Sequence, residues 1–298
     1  MQLSVLSRRS GQKLLVSSNR FTLLVICEAG SANLLLSYFD KFDRHVRVWA
    51  EGVASEIATG FGFEVIKSED LKILSPEIDE IFLAGTVGDQ FNQISIVEEI
   101  QREFAVKIFY VFDNWVNYAE RFKNCKIENA VVFDDYARDF VLKTFGPNIN
   151  LQIKPNEYLR NIREEVEQTV GVSQETILFL GNRINDFTTY TPGVHGLECF
   201  CIAVDLVSVK FPKAPIVFRP HPGSGMGSCA SHLASTCDYF QISSASLAFE
   251  LSRTRLVIGN PTYALYIASE LGIPVASLNP SNEFWGGPIF PDYRELLN

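Results

Sequence analysis

Residues 254–278 read TRLVIGNPTYALYIASELGIPVASL. Residues 255–258 (Arg-Leu-Val-Ile) form a mostly apolar run that predicts a buried strand, and a second apolar run begins at Val275. Between the two runs, the sequence Gly-Asn-Pro-Thr-Tyr opens a helical stretch over 263–271, and the following Gly-Ile-Pro ends it. A strand, a helix and a strand in this order form a βαβ unit, whose two strands pair in parallel.

The same alternation runs through the whole chain of 298 residues. The predicted strands are 21–28, 45–49, 63–66, 80–84, 107–112, 130–133, 150–153, 176–180, 216–218, 239–242, 255–258 and 275–278. The predicted helices between them are 91–104, 136–145, 156–170, 195–210, 244–252 and 263–271. Continuous apolar strands that alternate with helices are typical of parallel sheets covered on both faces, so the predicted fold class is α/β.

The charged stretch 156–170 predicts a helix that connects two halves of nearly equal size. We therefore expect two Rossmann-like domains that face a cleft, an N-terminal one over residues 1–165 and a C-terminal one over 166–298. The tail 279–298 is rich in Pro, Gly and aromatic residues, and we expect it to pack back on the first domain.

The composition argues against several classes of function. The formal net charge is −9, from 26 Lys and Arg against 35 Asp and Glu, which is unfavourable for nucleic-acid binding. No apolar run reaches the roughly 18 residues of a membrane-spanning helix, and residues 1–21 lack the apolar core of a signal peptide. The six cysteines are sparse, as in a protein with reduced thiols. We expect a cytoplasmic protein, for which the basic residues Arg8, Arg9, Lys13 and Arg20 allow weak peripheral contact with a membrane.

Three loops that follow predicted strands in the second half combine glycine with polar residues. They are 181–183 (Gly-Asn-Arg), 219–227 (Arg-Pro-His-Pro-Gly-Ser-Gly-Met-Gly) and 259–263 (Gly-Asn-Pro-Thr-Tyr). In open α/β sheets, ligands bind beyond the carboxyl ends of the strands, where glycines and helix N-termini present backbone N–H groups to anions. Arg219 and His221 add a fixed and a titratable positive charge at one strand end. The pattern predicts a site for an anionic ligand.

Each of these residues also has a purely structural interpretation. Gly181 can form a turn, Thr262 can cap a helix, and His221 can serve as a hydrogen-bonding side chain. We favour a ligand site because the loops at Arg219 and Gly259 lie about 40 residues apart, each at the end of a strand. The chain has no GxGxxG after its first strand and no GxxxxGK[ST], so it lacks the dinucleotide fingerprint and the Walker loop.

The second half resembles the donor-binding domain of GT-B-fold glycosyltransferases over roughly 100 residues. The resemblance is carried by 216–222 (IVFRPHP), 248–252 (AFELS), 256–265 (LVIGNPTYAL), Ala268 and 272–275 (GIPV). It implies a nucleotide-activated sugar as co-substrate, with no other cofactor, and a nucleotide phosphate held by the His-Pro and hydroxyl-bearing loops. The donor-binding residues assigned on this basis are Gly181, Asn182, Arg183, Arg219, His221, Gly223, Asn260, Thr262 and Tyr263. The chain departs from the family at Ile267, where many members have a Glu that holds the ribose or sugar of the donor.

The loops of the first half resemble the acceptor side of the same fold more loosely. Glu28 and Asp113 each end a predicted strand, and Glu28 can act as a general base on an acceptor hydroxyl. The residues assigned to catalysis are therefore Glu28, Asp113 and His221. The residues assigned to acceptor binding share small, amide or aromatic side chains: Gly30, Ser31, Asn33, Asn114, Trp115 and Tyr118. The alternatives are core packing for Trp115 and Tyr118, a helix cap for Asp113 and a structural salt bridge for Glu28.

The pair Asp134-Asp135 is the strongest candidate for a metal site in the sequence. The two acids are adjacent rather than alternate, and Asp135 is placed to cap the helix predicted over 136–145. We therefore expect no metal.

These observations predict a metal-independent glycosyltransferase that moves a sugar from a nucleotide-activated donor to a glycan, lipid or protein acceptor, in surface polysaccharide synthesis. Catalysis would depend on positioning, on stabilisation of the leaving phosphate and on a carboxylate base. Two alternatives stay open: a nucleotide-sugar epimerase or hydrolase of the same fold, and a non-catalytic scaffold that binds a nucleotide sugar. The sequence leaves open the sugar, the nucleotide, the stereochemical outcome, the acceptor and the oligomeric state.

Overall fold

The computed structural model describes residues 20–26, 28–40, 42–43, 45–85, 93–113, 115, 118–122, 125–169, 175–181, 196–221, 240–279 and 287–297. These residues form two parallel β-sheets, one in each half of the chain, and helices that cover them.

The first sheet has six strands in the order β2-β1-β3-β4-β5-β6, all paired in parallel. The strands are β1 (Phe21–Ile26), β2 (Val46–Ala50), β3 (Ile78–Ala84), β4 (Lys107–Val111), β5 (Asn129–Val132) and β6 (Asn150–Ile153). The helices of this half are α1 (Ala29–Ser37), α2 (Gly52–Gly60), α3 (Ser68–Leu74), α4 (Gln93–Phe104), α5 (Tyr118–Arg121) and α6 (Asp135–Phe145), and a 3-10 turn (Ser75–Glu77) precedes β3. Strands β1 and β4 and residues 81–84 of β3 are almost entirely apolar because helices cover both faces of the sheet.

The second sheet has five strands in the order β11-β10-β7-β8-β9, again all parallel. The elements of this half, preceded by the connecting helix α7 (Glu157–Gln168), are β7 (Thr176–Leu180), α8 (Gly196–Lys210), β8 (Ile216–Arg219), β9 (Phe240–Ile242), α9 (Leu247–Ser252), β10 (Thr254–Gly259), α10 (Tyr263–Glu270), β11 (Val275–Ser277) and α11 (Tyr293–Leu297).

The predicted α/β class with two Rossmann-like units is confirmed, and one predicted strand is wrong. Residues 63–66 touch the first sheet only through a single bridge between Val65 and Val48. The Val48 N–H donates to the Glu64 carbonyl, and the Ile66 N–H donates to the Val48 carbonyl. The segment therefore meets the middle of β2 at one point, and α3 begins two residues after it.

The connecting helix α7 separates the two sheets, and the domain boundary predicted between residues 165 and 166 lies inside this helix. The expected packing of the tail on the first half is corrected for its described helix, α11. Tyr293 and Leu297 of α11 are buried against the second half, and Lys210 of α8 donates to the Leu296 carbonyl. The tail packs there because its two apolar side chains complete the core between α8 and the second sheet.

Each sheet has a topological switch point, where successive connections leave a strand in opposite directions. In the first sheet, β1 lies between β2 and β3; in the second, β7 lies between β8 and β10. Ligands of open α/β sheets bind at such points, beyond the carboxyl ends of the strands. The fold therefore directs attention to the ends of β1, β3 and β4 in one sheet, and of β7, β8 and β10 in the other.

One hydrophobic cluster extends across both halves. It includes Leu83 and Val132 of the first sheet, Ile162 of α7, and Leu178 and Val257 of the second sheet. The two sheets thus share a core through α7. Within the described parts of the chain, no helix combines the length and hydrophobicity needed to cross a bilayer.

Candidate active site

Two glycines lie where the switch-point strands of the second sheet end. Gly181 follows β7, and Gly259 ends β10 in register with Leu180. A Cβ at Gly181 would lie 2.8 Å from the Phe218 ring and 3.1 Å from both the Arg219 carbonyl oxygen and the His221 backbone nitrogen. Only glycine allows this approach, so the structure brings Gly181, Arg219 and His221 together at the carboxyl edge of the sheet.

The Arg219 side chain is half-buried and takes part in a hydrogen bond of its own. Its Nη1 donates to the Ala245 carbonyl in the loop between β9 and α9. Burial lowers the pKa of Arg219, while the nearby Tyr158 and Glu250 raise it. The guanidinium is therefore anchored at one nitrogen, and the residue stands at the strand end that His221 follows.

The loop after β10 combines a helix cap with a buried phenol. Thr262 is the N-cap of α10, and its hydroxyl accepts from the Leu265 N–H at 3.3 Å. The Tyr263 hydroxyl accepts from Asn156 Nδ2, and burial raises the pKa of Tyr263 well above its ordinary value. Thr262 thus caps the helix, which is the structural alternative stated for it above. The Tyr263 side chain points toward the first half of the chain, where Asn156 lies. Asn260 is half-buried in the same loop.

A buried hydrogen bond joins two predicted site residues at the switch point of the first sheet. Ser31 on α1 donates to Asp113 Oδ2 at 2.5 Å, although 82 positions separate them; their exposures are 0% and 3%. Gly85, at the end of β3, lies against this pair, since a Cβ there would be 2.1 Å from Ser31 Oγ and 3.3 Å from Glu28 Cβ. The structure thus brings Glu28, Ser31 and Asp113 together, and Asp113 is held by Ser31.

Glu28 is the more accessible of the two carboxylates. It occupies the N-cap position of α1 with an extended backbone, makes no side-chain cap bond, and is half-buried. Gly30 is exposed and Asn33 half-buried on the same helix. The predicted residues Asn114, Asn182, Arg183 and Gly223 lie outside the described residues.

The two aromatic residues expected to contact an acceptor are buried. Tyr118 packs on Phe112 with ring centroids 4.5 Å apart and on Phe140 at 5.3 Å. Trp115 packs on Phe133 at 5.0 Å and on Tyr266 at 4.7 Å. Core packing, the alternative stated above, therefore accounts for both side chains, because neither presents a ring face to solvent.

An aromatic junction cluster, formed by Trp115, Phe133, Tyr158, Tyr263 and Tyr266, joins the two halves. Trp115 follows β4 and Phe133 follows β5, whereas Tyr263 and Tyr266 belong to the start of α10, after β10. Since all of these follow the carboxyl ends of their strands, the carboxyl edges of the two sheets face each other across the junction. The cleft expected between the halves is consistent with this arrangement.

No group of His, Cys, Asp and Glu side chains suited to a metal ion occurs among the residues whose positions are described. The predicted cap of α6 needs correction by one position. Asp134, not Asp135, is the N-cap and accepts from the Ala137 N–H at 2.6 Å, while Asp135 pairs with Arg138. Burial raises the pKa of Asp134, opposed by hydrogen bonds from Ala137 and the Trp115 indole.

Two functional candidates are absent from the sequence-based assignment. Asn156 bonds Tyr263 and also caps α7, and Glu250 is a buried carboxylate on α9, near Arg219. Glu250 lies in the stretch AFELS, which carries part of the GT-B resemblance; a Glu within an apolar helix segment was the available signal.

The chain resembles known proteins in its structure but not in its sequence. No protein-family profile matches the chain, and no curated protein does. Among solved structures, UDP-GlcNAc 2-epimerase from Neisseria meningitidis, bound to UDP-GlcNAc, aligns with a TM-score of 0.65 and 10% identity, covering 93% of this chain and 89% of that one. HepE from Anabaena, in complex with UDP and glucose, aligns at 0.58 and 10% identity, covering 87% and 80%. The wall teichoic acid polymerase TagF aligns at 0.54 and 9% identity, covering 93% and 79%.

These structures share the GT-B arrangement, and the chain therefore has the GT-B fold predicted from its second half. At about one identical residue in ten, the likeness shows the fold alone.

Proposed function

We propose that this protein processes a nucleotide-activated sugar and that it is a glycosyltransferase, which moves the sugar to a hydroxyl of a glycan, lipid or protein acceptor in surface polysaccharide synthesis. The observation that carries the proposal is the pair of facing carboxyl edges. At one edge, Gly181 lies close to the backbone of Arg219 and His221. At the other edge, Glu28 lies beside the buried Ser31–Asp113 pair. One edge thus suits an anionic phosphate and the other a hydroxyl nucleophile.

The chemistry assigns a different task to each edge. The acceptor oxygen forms a bond to the anomeric carbon, and the bond from that carbon to the phosphate oxygen breaks, so that the nucleotide leaves with the electron pair. Arg219 and His221 stabilise the charge on the leaving phosphate, and the helix N-terminus at Thr262 adds a partial positive charge. Glu28 accepts the proton of the acceptor hydroxyl, since it is more accessible than Asp113. Asp113 keeps α1 and the end of β4 in register through Ser31.

A second candidate is a nucleotide-sugar epimerase or hydrolase. It is favoured by the alignment with an epimerase, the structure with the TM-score of 0.65, and it would use the same two edges. The two activities differ in acceptor dependence: an epimerase or hydrolase consumes its nucleotide sugar with no acceptor present.

The first test is ligand binding. UDP, CMP, CDP, GDP and ADP are screened by thermal shift, with and without Mg²⁺, because a ligand that binds only the native state raises the unfolding midpoint. We expect one nucleotide to stabilise the wild type and to lose that effect in His221→Ala. His45→Ala is the matched control, since His45 is exposed and precedes β2 at the opposite edge of the first sheet.

Turnover then separates the candidates. With the nucleotide sugar of the stabilising base, we expect His221→Ala to lower turnover by about 10² or more while the far-UV circular dichroism is unchanged. Full turnover in His221→Ala would refute the assignment of the site. Rapid consumption without an acceptor would favour the epimerase or hydrolase, and nucleotide binding with no turnover of any donor would favour a binding scaffold.

A further inference from the structure

Glu250 is a buried carboxylate in the second half that the proposed chemistry does not use. It lies on α9 with 1% of its side chain exposed. Arg253 donates to its Oε2 from Nε at 2.9 Å and from Nη2 at 2.8 Å, and the Ser243 hydroxyl donates to its Oε1. A buried charge is tolerated when it is paired and hydrogen-bonded in this way.

A chain of hydrogen bonds leads from Glu250 to Arg219. Because an ionised carboxylate only accepts, the Ser243 hydrogen points at Glu250, and a lone pair of the same oxygen accepts the Ala245 N–H at 3.0 Å. The Ala245 carbonyl in turn accepts from Arg219 Nη1. Ser243 is also tied to β8, since its N–H donates to the Phe218 carbonyl at 2.9 Å.

The same carboxylate acts on Arg219 through its charge. Burial removes water from the Arg219 guanidinium, which disfavours its charged form. The negative charge of Glu250 offsets part of that cost. A guanidinium at a phosphate site must stay charged and keep one orientation for its N–H groups to meet an oxyanion. Ser243 supplies the orientation through the turn at Ala245, and Glu250 supplies both the anchor for Ser243 and the compensating charge.

We infer that Glu250 is a positioning residue that holds Arg219 in its phosphate-binding orientation through Ser243 and Ala245. The inference deepens the proposed function and rests on it, since Arg219 is assigned there to the nucleotide phosphate. Glu250 itself touches no substrate.

The test combines nucleotide affinity with a direct observation of Arg219 in the full-length chain. Affinity for the stabilising nucleotide is measured by calorimetry, and the Nε–Hε signal of Arg219, assigned with Arg219→Lys, is followed by ¹⁵N relaxation. Ser243→Ala breaks the chain of bonds and keeps the Glu250 charge, whereas Glu250→Gln keeps the side-chain volume and removes the charge. Glu295→Gln, which changes an exposed acid on α11, is the control.

We expect Ser243→Ala and Glu250→Gln each to weaken nucleotide binding about tenfold and to increase the motion of the Arg219 guanidinium, because each removes a hydrogen bond to or from a charged network. Ser243→Thr, which retains the hydroxyl, restores both readouts. The double variant loses less affinity than the sum of the two single losses, because part of the effect of Glu250 passes through Ser243. If Glu250→Gln does not fold, the Ser243 pair carries the test.

Two results separate failure of this inference from failure of the proposed function. If the wild type binds none of the five nucleotides, the proposed function fails, and the Arg219 signal alone decides whether Glu250 and Ser243 position it. If the Arg219 signal is the same in the wild type, Ser243→Ala and Glu250→Gln, the positioning role is refuted even where nucleotide binding is intact.

Discussion

The contact between Gly85 and Ser31 gives a sharp prediction about the first-half edge of the site. Gly85 has a φ of +70°, and a Cβ there would lie 2.1 Å from Ser31 Oγ and 2.8 Å from Ser31 Cβ. Gly85→Ala therefore introduces a side chain in the left-handed region, at a cost of about 1–2 kcal/mol. It also pushes Ser31 away from Asp113, and losing a hydrogen bond to a buried charged group costs about 1.5–3 kcal/mol. Together the two contributions predict a loss of about 2.5–5 kcal/mol in the free energy of unfolding.

Two glycines of the same half separate these contributions. Gly52 has a φ of +54° and open space at its Cβ position, so Gly52→Ala reports the backbone strain without an overlap. Gly30, in the first turn of α1, has neither a positive φ nor a neighbour within 4 Å, and Gly30→Ala should be neutral or stabilise by up to about 1 kcal/mol because alanine has the higher helix propensity.

Urea unfolding followed by tryptophan fluorescence suits this comparison, because Trp49 and Trp115 are buried in the first half. The expected order of stability is Gly30→Ala, then Gly52→Ala, then Gly85→Ala. A Gly85→Ala protein no less stable than Gly52→Ala would show that Ser31 does not lie against Gly85, and would contradict the Ser31–Asp113 hydrogen bond.

Two further predictions concern charge. Glu28→Gln should lower kcat by about 10²–10⁴ with an unchanged KM for the nucleotide sugar, as expected when a general base is removed. The control is Glu51→Gln, at the end of the neighbouring strand β2. Equal losses of kcat in both variants would contradict the assignment of Glu28 as the base. Burial raises the pKa of Tyr158 to about 12, so the folded protein keeps this proton between its ordinary pKa of 10.0 and 12 while the unfolded chain loses it. The stability of the wild type should therefore fall as pH rises through this range. In urea titrations, the free energy of unfolding of Tyr158→Phe should rise relative to wild type by up to about 1.4 kcal/mol per pH unit. A constant difference in free energy between the two proteins across these pH values would refute the raised pKa of Tyr158.

The strands and the glycine loops of the second half could be predicted because their signals are local. The predicted strand and β7 have the same bounds, since the buried run Thr176–Leu180 is apolar after its first residue and lies between polar segments. The position of Gly181 directly after a buried strand predicts a ligand loop, and the crowding around its Cα gives a physical reason for a glycine there. The extra strand at 63–66 fails for the same cause, because a short apolar run has the same local signal whether or not a partner strand accompanies it along its length.

Contacts between distant parts of the chain could not be predicted in this way. The hydrogen bond between Ser31 and Asp113 joins residues 82 positions apart, and the local sequence around each of them does not indicate the other as its partner. An indole such as that of Trp115 is suited to stacking on a sugar ring. Its ring is instead buried against Tyr266, which is 151 positions away (266 − 115). Glu250 needed its three-dimensional setting to be recognised, because its link to Arg219 runs through the turn between β9 and α9.

The shared core around α7 has a consequence for how the polypeptide can be divided. Ile162 is buried in the cluster that also contains Val132 and Val257, and Asn156 at the start of the helix holds Tyr263. A genetic split in the connector would thus expose apolar surface on both fragments, and each fragment would supply what the other lacks. The two halves are better regarded as complementary pieces of one cooperative unit than as interchangeable modules, so chimeras with other GT-B proteins require the junction residues to be exchanged together.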